Sequence, residues 1–123
     1  MNLLLATWDS NLRLSLELLL GEEPGVSIVG TASEGQGLMA LMHSTSPDMV
    51  IADWELPGRS ISEILANVQE LVPPPAFIFL IQNMADRPET FPAGVDAFLL
   101  TGDPPDKLLA AFRRLREKSG NMN

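Results

Sequence analysis

Hydrophobic residues fall into five short runs along the chain, separated by longer segments in which apolar residues recur at helical spacing. The runs have the length of buried strands, and they cover residues 2–6, 26–31, 48–53, 76–81 and 96–100. Strands that alternate with helices are typical of a parallel sheet covered by helices on both faces. The pattern therefore predicts an α/β domain built on a doubly wound, five-stranded parallel sheet.

The intervening segments predict amphipathic helices over approximately residues 10–21, 34–44 and 61–71, with a last helix beginning at the prolines 104–105. Prolines 73–75 must end the third of these helices, because proline lacks the backbone N–H that continues the hydrogen-bond ladder. Asp103 precedes the last helix and is the expected N-cap.

The segment that joins the fourth and fifth strands differs from the other connections. It reads "QNMADRPETFPA", residues 82–93, and contains Pro88 and Pro92 with few apolar residues at helical spacing. We expect a short or irregular fourth helix here, because an interior proline costs about 3 kcal/mol in a helix. Residues 1–118 are predicted to form one domain, and residues 119–123 a flexible tail.

The composition narrows the range of functions. A chain of 123 residues with 46% hydrophobic content suits one globular domain. Cysteine is absent and His43 is the only histidine, which excludes thiol chemistry and most zinc sites. The sequence has neither a basic, apolar leader nor a run of roughly 20 apolar residues, so a cytoplasmic location is expected. The net charge of −8 would repel a phosphate backbone, so this chain alone is not expected to bind nucleic acid.

Polar residues at the carboxyl ends of the predicted strands are the candidate site, because open doubly wound sheets bind ligands there. They include Thr7, Trp8 and Asp9 after the first strand, Asp53 at the end of the third and Thr101 after the fifth. A carboxylate such as Asp53 can act as a nucleophile toward phosphorus when positive charge neutralises the transferred group.

Three segments resemble the receiver domain of bacterial response regulators, of the type joined to helix-turn-helix output domains. They read "VGTASEGQGL", "SPDMVIADWELPG" and "AGVDAFLLTGDPPDKLLAAFRRL". The resemblance implies a flavodoxin-like (CheY-like) fold with strand order 2-1-3-4-5. It also implies that Asp53 occupies the position that accepts a phosphoryl group from a histidine kinase, and that Phe98 matches the aromatic switch residue.

The chain departs from the receiver pattern around Asp53. Receivers carry two acidic residues after the first strand to hold Mg²⁺, and this chain has Thr7 and Trp8 there. They carry a lysine after the fifth strand, where this chain has Thr101. The Ser or Thr switch near the end of the fourth strand is replaced by Leu80, Ile81 or Gln82, depending on the alignment.

Two residues beside Asp53 have alternative interpretations. Asp9 either caps the first helix or, together with Asp53, replaces a lost metal ligand. Trp8 either stacks on a ligand or fills space left by an absent ion. An indole leaning over the crevice would oppose ionisation of Asp53 by desolvation, whereas the loss of neighbouring acids would favour it.

These observations predict a degenerate receiver, or pseudo-receiver, that is not an enzyme and serves as a protein-interaction module. The acidic pair that holds Mg²⁺ is absent, so we expect either no cofactor or weakly bound Mg²⁺. Without the ion and the lysine, nothing neutralises the charge on a transferred phosphoryl group. The expected partner is a histidine kinase or an output protein, no membrane contact is expected, and a homodimer is left open. The alternatives are a conventional phospho-acceptor that uses Asp9 and Asp53 for Mg²⁺, and a small-ligand-binding flavodoxin-like domain.

Overall fold

Five parallel strands form a single sheet in the order β2-β1-β3-β4-β5, as predicted. The computed structural model of the protein describes residues 1–71 and 73–120. The strands are β1 (Asn2–Ala6), β2 (Ser27–Ala32), β3 (Met49–Asp53), β4 (Ala76–Ile81) and β5 (Ala97–Leu100). Every pairing is parallel, and β3 lies at the centre with all five of its residues buried. Its unbroken apolar run follows from burial on both faces of the sheet.

Four α-helices cover the two faces. They are α1 (Ser10–Gly21), α2 (Gly35–Thr45), α3 (Ile61–Val68) and α4 (Pro105–Gly120). Because side chains alternate along a strand, Val50 and Ala52 of β3 pack with α2 and α3, whereas Met49 and Ile51 pack with α1 and α4. The core is therefore two layers, one on each side of the sheet, which is the doubly wound arrangement predicted from the sequence.

The segment between β4 and β5 contains one 3₁₀ turn, Met84–Asp86, and no α-helix. The prediction of a short or irregular fourth helix is therefore confirmed. Helix α3 is shorter than predicted and ends at Val68, ahead of the prolines. The next residues continue as tight turns in which the N–H groups of Glu70 and Leu71 donate to carbonyls three residues earlier.

The predicted N-cap of the last helix was wrong. Helix α4 begins at Pro105, and the Asp103 carboxylate accepts a hydrogen bond from the N–H of Leu100 at 3.0 Å. Asp103 thus closes the turn that follows β5. Of the predicted tail, residues 119 and 120 belong to α4, and residues 121–123 lie outside the described part of the chain. Among the described helices none is long and apolar enough to cross a bilayer.

Candidate functional site

A small crevice opens at the carboxyl edge of the sheet, beside the end of β3. Its volume is about 40 Å³, and it is lined by residues from four of the segments that follow strands. The polar side chains that line it are Asp9, Asp53, Glu55, Gln82 and Thr101, and Trp8 stands at its side. The strand-end residues selected from the sequence thus meet at one place, because parallel strands end at the same edge of the sheet. We call it the Asp53 crevice.

Asp53 is the last residue of β3, and only 7% of it is exposed. Its Oδ2 accepts a hydrogen bond from the backbone N–H of Trp8 at 3.1 Å, and its carboxylate also accepts one from the Thr7 hydroxyl. The carboxylate is therefore held by the loop after β1. In a receiver with acids at these positions, that loop would repel a carboxylate unless a cation lay between them.

Thr7 is buried, with 1% of its surface exposed, and it connects Asp53 to the start of α1. While its hydroxyl donates to Asp53, its Oγ1 accepts from the backbone N–H of Asp9 at 3.1 Å. No buried side-chain oxygen or nitrogen of the described residues lacks a hydrogen-bond partner. Every fully buried polar side-chain atom of the described residues is thus paired within the protein itself.

The pKa of Asp53 is raised above its ordinary value, and the main cause is burial, which disfavours the charged carboxylate. The hydrogen bonds from Thr7 and Trp8 oppose this rise, and the nearby charge of Asp9 adds to it. The sequence left the sign of this balance open. In the folded protein desolvation exceeds the two hydrogen bonds.

Asp9 is the N-cap of α1. Its Oδ1 accepts from the backbone N–H groups of Asn11 and Leu12 at 2.9 and 3.3 Å, which are donors that the first helical turn leaves free. The capping interpretation is therefore confirmed. These bonds use Oδ1 alone, so a metal-binding role for Asp9 stays a prediction from the sequence.

Thr101 and Trp8 occupy the two remaining substituted positions. The Thr101 hydroxyl donates to the carbonyl of Ile81 at 2.9 Å, which ties the end of β5 to the end of β4. Trp8 is 54% exposed, so its indole borders the crevice without filling a buried space. Of the three candidates for the switch position, Leu80 and Ile81 are buried and Gln82 is exposed, and all three line the crevice.

Mg²⁺ binds through near-octahedral oxygen coordination that includes one or two carboxylates. The described residues hold no group of three or more Asp, Glu, His or Cys side chains placed for a metal ion. One oxygen of each carboxylate is bonded within the protein, Oδ2 of Asp53 to the β1 loop and Oδ1 of Asp9 to the start of α1. The residues present therefore do not fit the ion that receivers use.

An aromatic cluster lies next to Asp53 and was missed in the sequence. Trp54 packs edge-on against Phe79 and Phe98, with ring centroids 5.1 and 5.0 Å apart. Phe79 and Phe98 are register partners on β4 and β5, and Phe91 packs edge-on against Phe98 at 4.9 Å. The switch-aromatic position Phe98 is thus enclosed between Trp54 and Phe91. The strand register places Phe79 and Phe98 side by side, so a prediction of the register from the sequence could have found this cluster.

Comparison with known proteins gives a consistent result. The nitrate/nitrite response regulator NarL of Escherichia coli is 29% identical over 105 residues, which span 84% of this chain and 49% of NarL. The transcriptional regulatory protein DesR of Bacillus subtilis is 31% identical over 103 residues, 80% of this chain and 50% of DesR. The chain thus spans about half the length of these curated relatives. No protein-family model matches it.

A solved structure extends the likeness to the whole fold. The response regulatory domain of protein mrkE from Klebsiella pneumoniae superposes with a TM-score of 0.88 at 14% sequence identity, covering 99% of this chain and 100% of that domain. At this identity the superposition supports the fold alone, and the family assignment depends on the sequence relatives. Together with the strand order and the position of Asp53, they identify this chain as a receiver domain of the response-regulator family, which acts in two-component signalling.

Proposed function

We propose that this receiver domain is a pseudo-receiver, in which Asp53 is kept as a structural part of the site and Mg²⁺-dependent phosphorylation is weak or lost. The domain then acts as a non-enzymatic module that binds a protein partner. The observation that carries the proposal is the contact of the Asp53 carboxylate with Thr7 and the N–H of Trp8, at the two positions where a receiver would have acidic metal ligands.

Electrostatics support the proposal. Phosphoryl transfer to a carboxylate builds negative charge on the transferred group, and cations at fixed positions commonly lower such barriers by several kcal/mol. Here the lysine position holds Thr101, whose hydroxyl is bonded to Ile81, and no cationic side chain lines the crevice. Burial also raises the pKa of Asp53, because desolvation disfavours the charged carboxylate that would act as the nucleophile.

The wider role of the protein is part of the same proposal. The relatives are full-length regulators, and the chain matches only about half of each, so their output functions belong to regions outside the match. We propose that the partner is a histidine kinase or an output protein and that contact is made through the folded receiver surface. The proposal includes the cytoplasmic location expected from the sequence.

The test is intact-mass spectrometry after incubation with a small phosphodonor and Mg²⁺. We expect no mass change for the unmodified protein. Mg²⁺ lacks its acidic ligands, and no cation neutralises the transferred phosphoryl group. The triple variant Thr7→Asp, Trp8→Asp, Thr101→Lys restores the receiver pattern, and we expect it to bind Mg²⁺ and to gain one phosphoryl group at Asp53.

Two controls make the result interpretable. A conventional receiver domain treated in parallel verifies the phosphodonor, and adding Asp53→Asn to the triple variant should abolish its mass change. Stoichiometric, Mg²⁺-dependent phosphorylation of the unmodified protein at Asp53 would refute the proposal and support the conventional phospho-acceptor that uses Asp9.

A further inference from the structure

A groove of about 580 Å³ opens between α1 and the start of α4, on the face of the sheet that these two helices cover. We call it the leucine groove, because most of its lining side chains are leucines from α1, β4, β5 and α4. Leu12, Leu19 and Leu99 pack against the core and stay partly exposed in the groove. Small-molecule sites commonly have volumes of about 300–1,000 Å³ and a largely apolar lining, so the groove has the size and chemistry of such a site.

The leucine groove adjoins the Asp53 crevice. Leu12, Leu80 and Thr101 line both cavities. The Thr101 hydroxyl donates to the carbonyl of Ile81, which holds this short side chain against the end of β4. A lysine, which receivers carry at this position, would place a longer, charged side chain at the junction. The two cavities therefore form one site with a small polar end and a larger apolar part.

The polar end is acidic. Asp9, Asp53 and Glu55 line the crevice, and among the described residues no lysine or arginine lines either cavity. These acids are not grouped closely enough to ligate a metal ion, so they would hold a bare cation weakly. Asp103 in the leucine groove is already paired with Lys107 at 3.7 Å. The crevice acids can thus select the charge of a ligand, but most of the affinity must come from its apolar part.

The dimensions restrict the ligand further. Holding one water molecule takes roughly 10–15 Å³, so the 40 Å³ of the crevice admits a polar group of only a few heavy atoms. A primary ammonium is compact, and its three N–H donors suit carboxylate acceptors. The lining of the groove from Leu12 to Leu19 extends about 10 Å along the axis of α1. The site therefore matches a small ammonium group on a long aliphatic chain.

We propose that the leucine groove and the Asp53 crevice together bind a small aliphatic primary amine, with its ammonium near Asp53 and Glu55 and its hydrocarbon chain along the leucines of α1. This inference goes beyond the proposed function and develops the small-ligand alternative that the sequence left open. Charge complementarity selects the amine over a fatty acid of the same length, whose carboxylate would meet the three acids of the crevice.

The probe is n-octylamine, titrated into protein with isotopically labelled leucine methyl groups in the absence of Mg²⁺ and phosphodonor. We expect methyl shifts concentrated at Leu12, Leu19 and Leu99. From butylamine through hexylamine to octylamine, affinity should rise by up to about fourfold for each buried methylene. Absence of binding would overturn the inference. So would an affinity that stops rising at butylamine, because its chain has the length of a lysine side chain and the groove would then suit a lysine of a partner protein.

The head group tests the role of the crevice acids. Octanoate has the same apolar chain with an anionic head, and it should bind at least tenfold more weakly than octylamine. Thr101→Lys places a cation at the junction of the two cavities and should weaken octylamine binding more than tenfold, whereas Thr101→Met adds similar length without charge and should weaken it much less. Equal binding of the amine and the acid, or equal losses in the two variants, would overturn the placement of the ammonium in the crevice.

A matched pair of variants separates the local charge from the net charge. Glu55→Gln removes an exposed carboxylate that lines the crevice, and it should lower octylamine affinity about threefold to tenfold. Glu70→Gln makes the same change in net charge at an exposed position outside both linings, and it should leave the affinity unchanged. Equal effects of the two variants would overturn the inference. A mass change of the unmodified protein in the phosphodonor assay would instead reject the pseudo-receiver proposal, while the amine titration decides this site separately.

Discussion

Replacing Thr7 by valine tests whether the β1 loop stabilises the ionised form of Asp53. Valine has nearly the same shape and carries a methyl group in place of the hydroxyl. In Thr7, which is 1% exposed, this hydroxyl serves both as donor to Asp53 and as acceptor for the Asp9 N–H. A hydrogen bond to a charged group contributes about 1.5–3 kcal/mol, and a partly buried N–H left without a partner costs about 1 kcal/mol more. We therefore expect the free energy of unfolding to fall by about 2.5–4 kcal/mol at pH 7.5.

The pH dependence identifies the mechanism. The lost bond favours the ionised carboxylate, so its removal should raise the pKa of Asp53 further in the folded protein. The destabilisation should be full above the folded pKa and should shrink as the pH falls through it, because a protonated carboxyl group depends less on the donor. Urea unfolding at a series of pH values measures this difference.

Thr101→Val is the matched control. It also removes one hydroxyl beside the crevice, but that hydroxyl donates to a neutral carbonyl, which keeps the backbone N–H of Thr101 as a second donor at 2.8 Å. We expect a loss of about 1 kcal/mol that does not vary with pH. Equal losses in the two variants, or a pH-independent loss for Thr7→Val, would refute the role assigned to Thr7.

Three further predictions concern stability. Burial raises the pKa of Asp53 above its ordinary value of 3.8, so the ionised group destabilises the fold. Asp53→Asn should therefore raise the free energy of unfolding at pH 7.5, and this gain should disappear as the pH falls toward 3.8. Gly58 has φ of +89°, so Gly58→Ala should lower the free energy of unfolding by about 1–2 kcal/mol. Gly102 faces open space, so Gly102→Ala should be nearly neutral in thermal unfolding. Asp9→Ala should cost about 1 kcal/mol by loss of the N-cap, and Asp9→Asn should cost little, because asparagine caps equally well; equal losses would contradict the capping role.

The resemblance to receivers implied the strand order. The five strands, the four α-helices and a short or irregular helix between β4 and β5 were predicted from the sequence pattern. Local information sufficed because each feature depends on residues close together in the chain: apolar runs of strand length, apolar residues at helical spacing, and Pro88 and Pro92 in one short segment. The cap formed by Asp9 was one of two interpretations that the sequence allowed, and it depends on N–H groups only two and three residues away. The meeting of Asp53 with the residues after β1 followed from the topology.

Other features depend on contacts between distant residues, and only the tertiary structure decided them. The pKa of Asp53 is raised because burial outweighs the opposing donors on the β1 loop, one of which, Trp8, is 45 residues away in the chain. Asp103 was wrongly predicted as a helix cap. Its carboxylate can accept either from the first N–H groups of α4 or from the N–H of Leu100, and the path of the turn after β5 decides in favour of Leu100. The enclosure of Phe98 by Trp54 and Phe91 depends on register and packing across three segments, which no local pattern encodes.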